Sequence, residues 1–258
     1  MYLRAVHAEN STKALLEFIK SNPLGVITTA ISSSNFHFIQ SSHVPWVLDE
    51  VSDDPDAPIK GHLRGHMARQ NPQSKAMIET LSSSGTGTGT TKLEQEVMIL
   101  FTGRHDHYVT PKFYTETKPA TAKVVPTWNY SAVQVYGKAT VYYDSAKAET
   151  GAYLSKQIRD LSRMCETGIM GYTGENGKSG PWAVDDAPER YVDIMQKNII
   201  GIEVSIENIG GKHKMSQELG DGDRQGVIEG FNNLRSETGV CMAESVKRRG
   251  EMKDALKG

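Results

Sequence analysis

The spacing of hydrophobic and polar positions along the chain predicts many short strands and a few helices. Residues 11–20 carry apolar side chains at helical spacing and are followed by an Asn-Pro pair, which predicts a helix that ends there. Residues 24–31 are rich in β-branched residues and predict a strand. A polar turn separates them from residues 36–47, which predict a second extended stretch paired to the first.

The same pattern continues to the end of the chain. Further strands are predicted at residues 59–68, 97–101, 132–143, 199–206 and, after a turn at Gly210-Gly211, 213–217, while residues 108–114 and 124–130 flank a loop. Helices are predicted around residues 74–81, 146–165 and 187–197 and from residue 221 onwards. Strands follow one another without regular helical crossovers. The predicted class is therefore α+β or mainly β, with a closed antiparallel barrel and peripheral helices.

Three polar segments predict surface loops. Residues 49–58 are acidic and contain proline, and residues 168–180 are rich in glycine. Residues 82–91 read SSSGTGTGTT and lack the Gly-Lys-Ser/Thr ending of a phosphate loop. We predict one barrel domain over residues 1–231, with insertions near 82–96 and 168–180, and a helical extension over residues 232–258.

Composition and charge exclude several classes. The 258 residues are 38% hydrophobic, which allows a sizeable core, but no apolar run approaches the roughly 20 residues that cross a bilayer. The N-terminus lacks the apolar region of a signal peptide, so a soluble, cytoplasmic protein is expected. Cys165 and Cys241 are far apart and form no C-x-x-C pair, which argues against zinc or disulfide chemistry.

The formal net charge of −2 offers no support for the basic face of a DNA-binding protein. A basic cluster at residues 247–249 is interpreted as the solvated side of a terminal helix. His105 and His107 point the same way on an extended chain, but a third ligand with matching spacing is missing, and no metal site is predicted. Hydrolase, dinucleotide-fold and helix-turn-helix motifs are also absent from the sequence.

Three groups of polar residues stand at predicted strand ends. In the first, GHMARQNP, the guanidinium of Arg69 is suited to grip a phosphate through two hydrogen bonds; a surface arginine paired with an acid is the alternative. In the second, GGKHKMSQ, alternation places Lys212, Lys214 and Ser216 on one face, which suits an anionic group. A solvent-facing strand shows the same alternation.

The third group is KVVPTWNY, residues 123–130, together with Thr110 and Tyr114. Trp128 is suited to stack on a flat heterocycle whose edges Thr127 and Asn129 hydrogen-bond. The alternative is that Trp128 fills the core, as a single tryptophan commonly does.

The ordered motifs LGVITT, GHMARQNP, VPTWNY, PWAVDDAP and GGKHKMSQ resemble those of the PaiB-like family. The resemblance extends from residue 1 to about residue 231. Members of that family are FMN-binding proteins, often labelled negative transcriptional regulators. They resemble the pyridoxamine-phosphate-oxidase-like split β-barrels, which are homodimers that bind FMN between their two subunits.

The resemblance implies FMN as cofactor and a second copy of the chain as partner. It implies phosphate contacts from Arg69, Lys214, Ser216 and Thr127, contacts to the ring and ribityl edges from His66, Asn129 and Gln217, and aromatic cover from Trp128 and Tyr114. The implied function is flavin-dependent oxidation and reduction, or flavin-based sensing, of a small molecule. Two alternatives stay open: a transcriptional regulator that acts on DNA directly or indirectly, and a haem-binding or haem-degrading split barrel that uses His66, His105 and His107.

Overall fold

A computed structural model describes residues 1–50, 57, 59–83 and 91–255. Within these ranges the strands are β1 (Ala8–Glu9), β2 (Leu24–Ala30), β3 (Ile39–Pro45), β4 (Val47–Glu50), β5 (Gly61–Ala68), β6 (Lys92–Thr102), β7 (His107–Val109), β8 (Thr127–Tyr142), β9 (Ile199–Ser205) and β10 (Asn208–Lys214). The α-helices are α1 (Thr12–Ser21), α2 (Pro72–Ser83), α3 (Thr117–Thr121), α4 (Ala148–Met164), α5 (Glu189–Lys197), α6 (Asp221–Asn232) and α7 (Glu237–Ala255). Most of the predicted loops at 49–58 and 82–91 lies outside the described residues.

Antiparallel pairing characterises the strands. β2 pairs with β3 and β6, β5 pairs with β4 and β9, β8 pairs with β7 and β9, and β1 pairs with β10, all antiparallel. The predicted α+β class, with antiparallel strands and accompanying helices, is confirmed. None of the helices in the described ranges is long and apolar enough to cross a membrane.

The chain divides into two compact units. The first unit contains Met1–Phe18, Phe101–Gln134 and Gly210–Gly258, and the second contains Ile19–Leu100 and Val135–Ile209. Strand β8 contributes residues to both. In the second unit, alternate residues of the strands point inward, and Ile27, Leu63 and Ile202 are fully buried. These β-branched and leucine side chains supply the apolar surface that holds the strands together.

The core of the first unit is built by α6 and α7 with the short strand β7. Val109, Val227, Phe231, Met242 and Val246 are buried together there. Because the two helices close this core, the C-terminal segment is part of the packed first unit.

Three local predictions are wrong at the level of the backbone. Gly210-Gly211 is not a turn but lies inside β10, where a Cβ on Gly211 would come within 2.4 Å of Leu15 Cδ2. The strand predicted at 132–143 begins earlier than predicted, because β8 runs unbroken from Thr127 to Tyr142. The strand predicted at 213–217 ends at Lys214, since Ser216 adopts the left-handed conformation with φ 59°.

Candidate functional site

A cavity of about 350 Å³ lies in the first unit, where β8 begins and β10 ends. Its lining residues are Tyr2, Arg4, His7, Thr127, Trp128, Tyr130, Lys212, Lys214 and Glu218. Three of these side chains are cationic and one is a carboxylate, so the cavity favours an anion. Its volume falls within the range of about 300–1,000 Å³ that is typical of small-molecule sites.

Strand β10 supplies two of the cations. Lys212 and Lys214 are two positions apart, so the pleat turns both side chains to the same face of the strand. The ammonium of Lys212 lies 4.9 Å from the ring centroid of Tyr130 and donates to the backbone carbonyl of Tyr2 at 3.4 Å. Tyr130 thus holds the Lys212 ammonium at the wall of the cavity through a cation–π contact.

Lys214 joins β10 to the first residues of β8. Its ammonium donates to the hydroxyl of Thr127 and to the backbone carbonyl of Trp128 at 2.9 Å. Burial lowers the pKa of Lys214, and the carboxylate of Glu218 opposes that shift. A partly buried cation of this kind gains stability when an anion binds beside it.

The carboxylate in the cavity wall has a fixed partner. Glu218 Oε2 and His7 Nε2 are 2.9 Å apart. Burial alone would raise the pKa of Glu218, but the hydrogen bond with His7 and the charge of Lys214 lower it overall. Glu218 is therefore ionised at neutral pH, and it tethers the N-terminal segment to the turn after β10.

Trp128 does not fill the core. Its side chain is 51% exposed, and its indole Nε1 donates to Asp106 Oδ1 at 2.7 Å. The core interpretation of this residue is therefore wrong. The hydrogen bond fixes one edge of the indole and leaves a flat aromatic surface beside the cavity.

Three of the predicted ligands form the scaffold beside the cavity. Asn129 and Ser216 are fully buried and bond to each other. Gln217 is also buried; its side-chain oxygen accepts from the backbone N–H of Met215 at 2.6 Å, and its Nε2 donates to the carbonyl of His213 at 2.5 Å. These bonds fix the turn that follows Lys214. Their predicted contacts to FMN stay predictions.

Thr110 and Tyr114 flank a short 3₁₀ helix, Pro111–Phe113. The hydroxyl of Thr110 accepts from the backbone N–H of Lys112 at 3.3 Å and caps that helix. Tyr114 is buried in the core of the first unit, and its hydroxyl donates to the carbonyl of Val125 at 3.4 Å. Both residues support the segment that leads into β8.

His66 and Arg69 belong to the second unit. The guanidinium of Arg69 donates to the backbone carbonyls of Lys197 at 3.2 Å and Tyr143 at 2.5 Å, with a longer contact to Ile199 at 3.5 Å. Its recorded partners are therefore carbonyls rather than an acid. His66 lines a separate, mainly apolar cavity of about 380 Å³. Their roles in holding FMN also stay predictions.

Several lining residues were not among the predicted ligands. Arg4 and His7 lie in an N-terminal segment without a recognisable motif, some 200 positions before β10. The alternation in GGKHKMSQ predicted that Lys212 shares a face with Lys214, but the family resemblance implied no FMN contact for Lys212. Glu218 follows the predicted ligand Gln217 directly in sequence, and this was its one indication of a place near the site.

Two lysines, a threonine hydroxyl and an exposed indole lie together at this cavity. Residues 1–208 match the family described as "Putative FMN-binding domain", and the chain belongs to this family. FMN is accordingly its cofactor. The donor chemistry of the cavity fits the anionic end of FMN.

The chain is also similar to individual proteins. It is 59% identical to an uncharacterized protein of Aspergillus fumigatus, over 98% of this chain and 99% of that protein. It is 24% identical to the protease synthase and sporulation protein PAI 2 of Bacillus subtilis, over 95% of each chain. Among solved structures, an FAD and heme binding protein from Mycobacterium smegmatis matches with a TM-score of 0.43 and 12% identity, over 80% of this chain and 73% of that one. The PaiB-like resemblance predicted from the motifs is confirmed.

Proposed function

We propose that this chain is a flavin-dependent protein that oxidises, reduces or senses a small molecule, with the phosphate of FMN held in the cavity of the first unit. One observation carries the proposal: Lys212 and Lys214 project with Thr127 into a single cavity in which cations outnumber carboxylates.

The cations act on the charge of the phosphate. A phosphate monoester carries a charge of about −1.5 to −2 at pH 7. Lys214 has three N–H donors and makes two hydrogen bonds within the first unit, so it can hold Thr127 and an anion together. Lys212, steadied over Tyr130, adds a second positive charge on the same side.

Two other features of the cavity favour the binding of FMN. The bond between His7 and Glu218 keeps the carboxylate engaged within the protein, which reduces its repulsion of a phosphate. Trp128, fixed by Asp106, offers an aromatic face that can cover one side of a ring and exclude water from it. Bound FMN supplies the electron-transfer chemistry, and the chain supplies binding, orientation and electrostatics.

A second copy of the chain is part of the proposal. The rings of Trp128 and Tyr108 lie edge to face at 6.1 Å, and both side chains are largely exposed. Exposed aromatic pairs of this kind are typical of surfaces that another protein covers. The mass of the protein in solution tests this part, and a strictly monomeric species with bound FMN would contradict it.

The phosphate assignment is tested by comparing FMN with riboflavin, which has the same ring and no phosphate. For Lys214→Gln we expect FMN affinity to fall about 10- to 100-fold, because a charge-assisted hydrogen bond contributes roughly 1.5–3 kcal/mol. Riboflavin affinity should change by less than about threefold, since riboflavin lacks the phosphate that Lys214 is proposed to bind. Flavin fluorescence quenching measures both.

Lys13→Gln is the matched control, because Lys13 is an exposed lysine on α1 outside the cavity. It should leave both affinities unchanged. Equal loss of FMN and riboflavin binding in Lys214→Gln, or FMN binding unaffected by that change, would place the phosphate elsewhere.

A further inference from the structure

One side chain in the cavity of the first unit has the wrong charge for a phosphate. Among the described residues that line this cavity, Glu218 is the one carboxylate, beside the cations of Arg4, Lys212 and Lys214. The Glu218 side chain is 19% exposed, so a ligand in the cavity can reach it. A carboxylate near a bound phosphate weakens its binding by like-charge repulsion. A second part of the ligand that binds to the carboxylate would offset this cost.

The protein keeps this carboxylate ionised. Glu218 Oε2 lies 2.9 Å from Nε2 of His7, which is buried. Burial alone would raise the pKa of Glu218, but the hydrogen bonds with His7 and with its own backbone N–H, together with the charge of Lys214, lower it overall. An ionised carboxylate donates no hydrogen bond, and its two oxygens together offer about four acceptor sites. The bonds from His7 and from the backbone therefore leave acceptor capacity for hydroxyl groups of a ligand.

The two amides that are predicted to contact the edges of FMN are bonded within the protein. Asn129 exchanges two hydrogen bonds with Ser216 and is fully buried. Gln217 bonds to two backbone groups of neighbouring residues and is also buried. Glu218 is the next residue along the chain, and it lines the cavity. Its charge makes it a stronger acceptor for hydroxyl groups than either amide.

We infer that Glu218 determines which phosphates the cavity accepts, because its carboxylate accepts hydrogen bonds from hydroxyl groups on the chain that carries the phosphate. The ribityl chain of FMN has such hydroxyl groups beside its phosphate. A phosphate on a plain hydrocarbon chain meets only the repulsion of Glu218. The cavity therefore selects the phosphates of polyols. This inference rests on the proposed function, in which Lys212 and Lys214 hold the phosphate.

Two flavins that differ only in these hydroxyl groups test the inference. The first is FMN. The second, the pentyl analogue, has the same ring and the same phosphate, joined by a pentyl chain without hydroxyl groups. We expect the parent protein to bind FMN about tenfold or more tightly than the pentyl analogue, because a hydrogen bond to a charged group is lost. Quenching of flavin fluorescence measures both affinities, and equal affinities overturn the inference.

Glu218→Ala should remove most of this preference. The ratio of the FMN affinity to the affinity of the pentyl analogue should fall about tenfold, because only FMN loses hydrogen bonds. Glu244→Ala is the matched control, since Glu244 is an exposed glutamate of α7 outside the cavity. It should leave both affinities unchanged. If Glu218 serves only to tether the N-terminal segment, Glu218→Ala weakens both flavins by the same factor, and that result overturns the inference.

Glu218→Gln keeps the test decisive if circular dichroism shows that Glu218→Ala is unfolded. The amide oxygen can replace the carboxylate as the partner of His7, while the negative charge is removed. The pentyl analogue should bind Glu218→Gln about threefold more tightly than the parent, because the repulsion of its phosphate is gone. The preference for FMN should fall by at least about threefold, since neutral hydrogen bonds are weaker than charged ones. An unchanged affinity for the pentyl analogue overturns the inference.

Lys214→Gln separates this inference from the proposed function. It should weaken both flavins alike, because both carry the phosphate. If it leaves both affinities unchanged, the phosphate lies elsewhere, and the proposed function and this inference are both wrong. If it weakens both flavins while Glu218→Ala keeps the preference for FMN, the proposed function stands and the inference alone is overturned.

Discussion

Asn129 and Ser216 exchange two hydrogen bonds in the interior of the first unit, 87 positions apart in sequence. Asn129 Nδ2 donates to Ser216 Oγ at 2.9 Å, and Ser216 Oγ donates to Asn129 Oδ1 at 3.1 Å. Both side chains are fully buried. The pair joins β8 to the turn after β10 and so helps to hold Thr127 and Lys214 together at the cavity.

The backbone of Ser216 makes this pair testable. Its φ of 59° favours glycine over alanine by about 1 kcal/mol, while both replacements remove the same hydroxyl. We therefore expect Ser216→Ala to lose about 2–4 kcal/mol of unfolding free energy and Ser216→Gly to lose about 1 kcal/mol less. Urea denaturation measures both. Equal losses would mean that the hydrogen bonds alone determine the effect.

Gly137 lies where β8 packs closely against the end of β9. A Cβ at this position would come 1.7 Å from the carbonyl oxygen of Ser205. Gly137→Ala should therefore cost at least about 2 kcal/mol, because the strands must move apart. Gly151 is the control: it lies in α4 with no atom within 4 Å of its Cβ position, and Gly151→Ala should add about 0.5–1 kcal/mol. A Gly137→Ala variant with the same unfolding free energy as the parent would contradict the close contact between Gly137 and Ser205.

Arg64 is a buried arginine of the second unit, only 4% exposed. Its guanidinium donates to Asp49 at 2.5 and 3.0 Å, to Asp160 at 2.7 Å and to Gln157 at 3.1 Å. A lysine cannot reproduce this fork, so we expect Arg64→Lys to cost about 2–4 kcal/mol.

The exposed pair between Arg159 and Asp185 provides the comparison for Arg64. Arg159→Lys should change the unfolding free energy by less than about 0.5 kcal/mol, because surface pairs are screened by water. Thermal and urea unfolding measure both variants. Similar effects of the two substitutions would show that burial does not govern the contribution of Arg64.

His213 makes the stability of the protein depend on pH. Burial, with the positive charges of Arg249 and Arg248, lowers its pKa from 6.5 to about 4. Between these two values the unfolded chain binds more protons at this residue than the folded chain. The stability that neutral His213 contributes is therefore present above pH 6.5 and is lost as the pH falls towards 4.

The comparison of His213→Gln with the parent isolates this effect from the carboxylates that titrate in the same range. We expect the parent to lose more stability than the variant between pH 6.5 and 4, by on the order of 1–2 kcal/mol after allowance for partial exposure. His43→Gln, at an exposed position, should follow the parent. Parallel curves for parent and His213→Gln would refute the shift. Urea unfolding at each pH gives the values.

Side-chain patterns predicted where strands occur, whereas they did not predict positions at which the backbone conformation decides whether a strand continues or ends. The β-branched residues in 24–31 located β2 within one residue of its observed end, because such side chains favour a pleated, half-buried strand. Gly210-Gly211 has the composition of a turn, yet it lies within β10, where Gly211 pairs with Glu9 of β1. Alternation also failed at Ser216, since a left-handed residue ends the strand whatever its side chain.

The site was partly predictable for a related reason. Thr127, Trp128 and Lys214 were expected near one ligand and do line one cavity. Asn129 has the same chemistry as a ligand-binding amide, and only its contact with Ser216 shows that it is engaged within the protein. Arg4 and His7 carry no periodic signal, and long-range packing alone brings them to the cavity.

Arg249, near the end of α7, donates to Glu9 of β1 at 3.1 Å. The last helix thus anchors the first strand, next to the segment that carries Arg4 and His7. The family match stops at residue 208, while Lys212, Lys214 and Glu218 come after it. A fragment trimmed to the matched region would retain the segment by which the family is detected, but it would lack Lys212 and Lys214, the two lysines proposed to hold the phosphate.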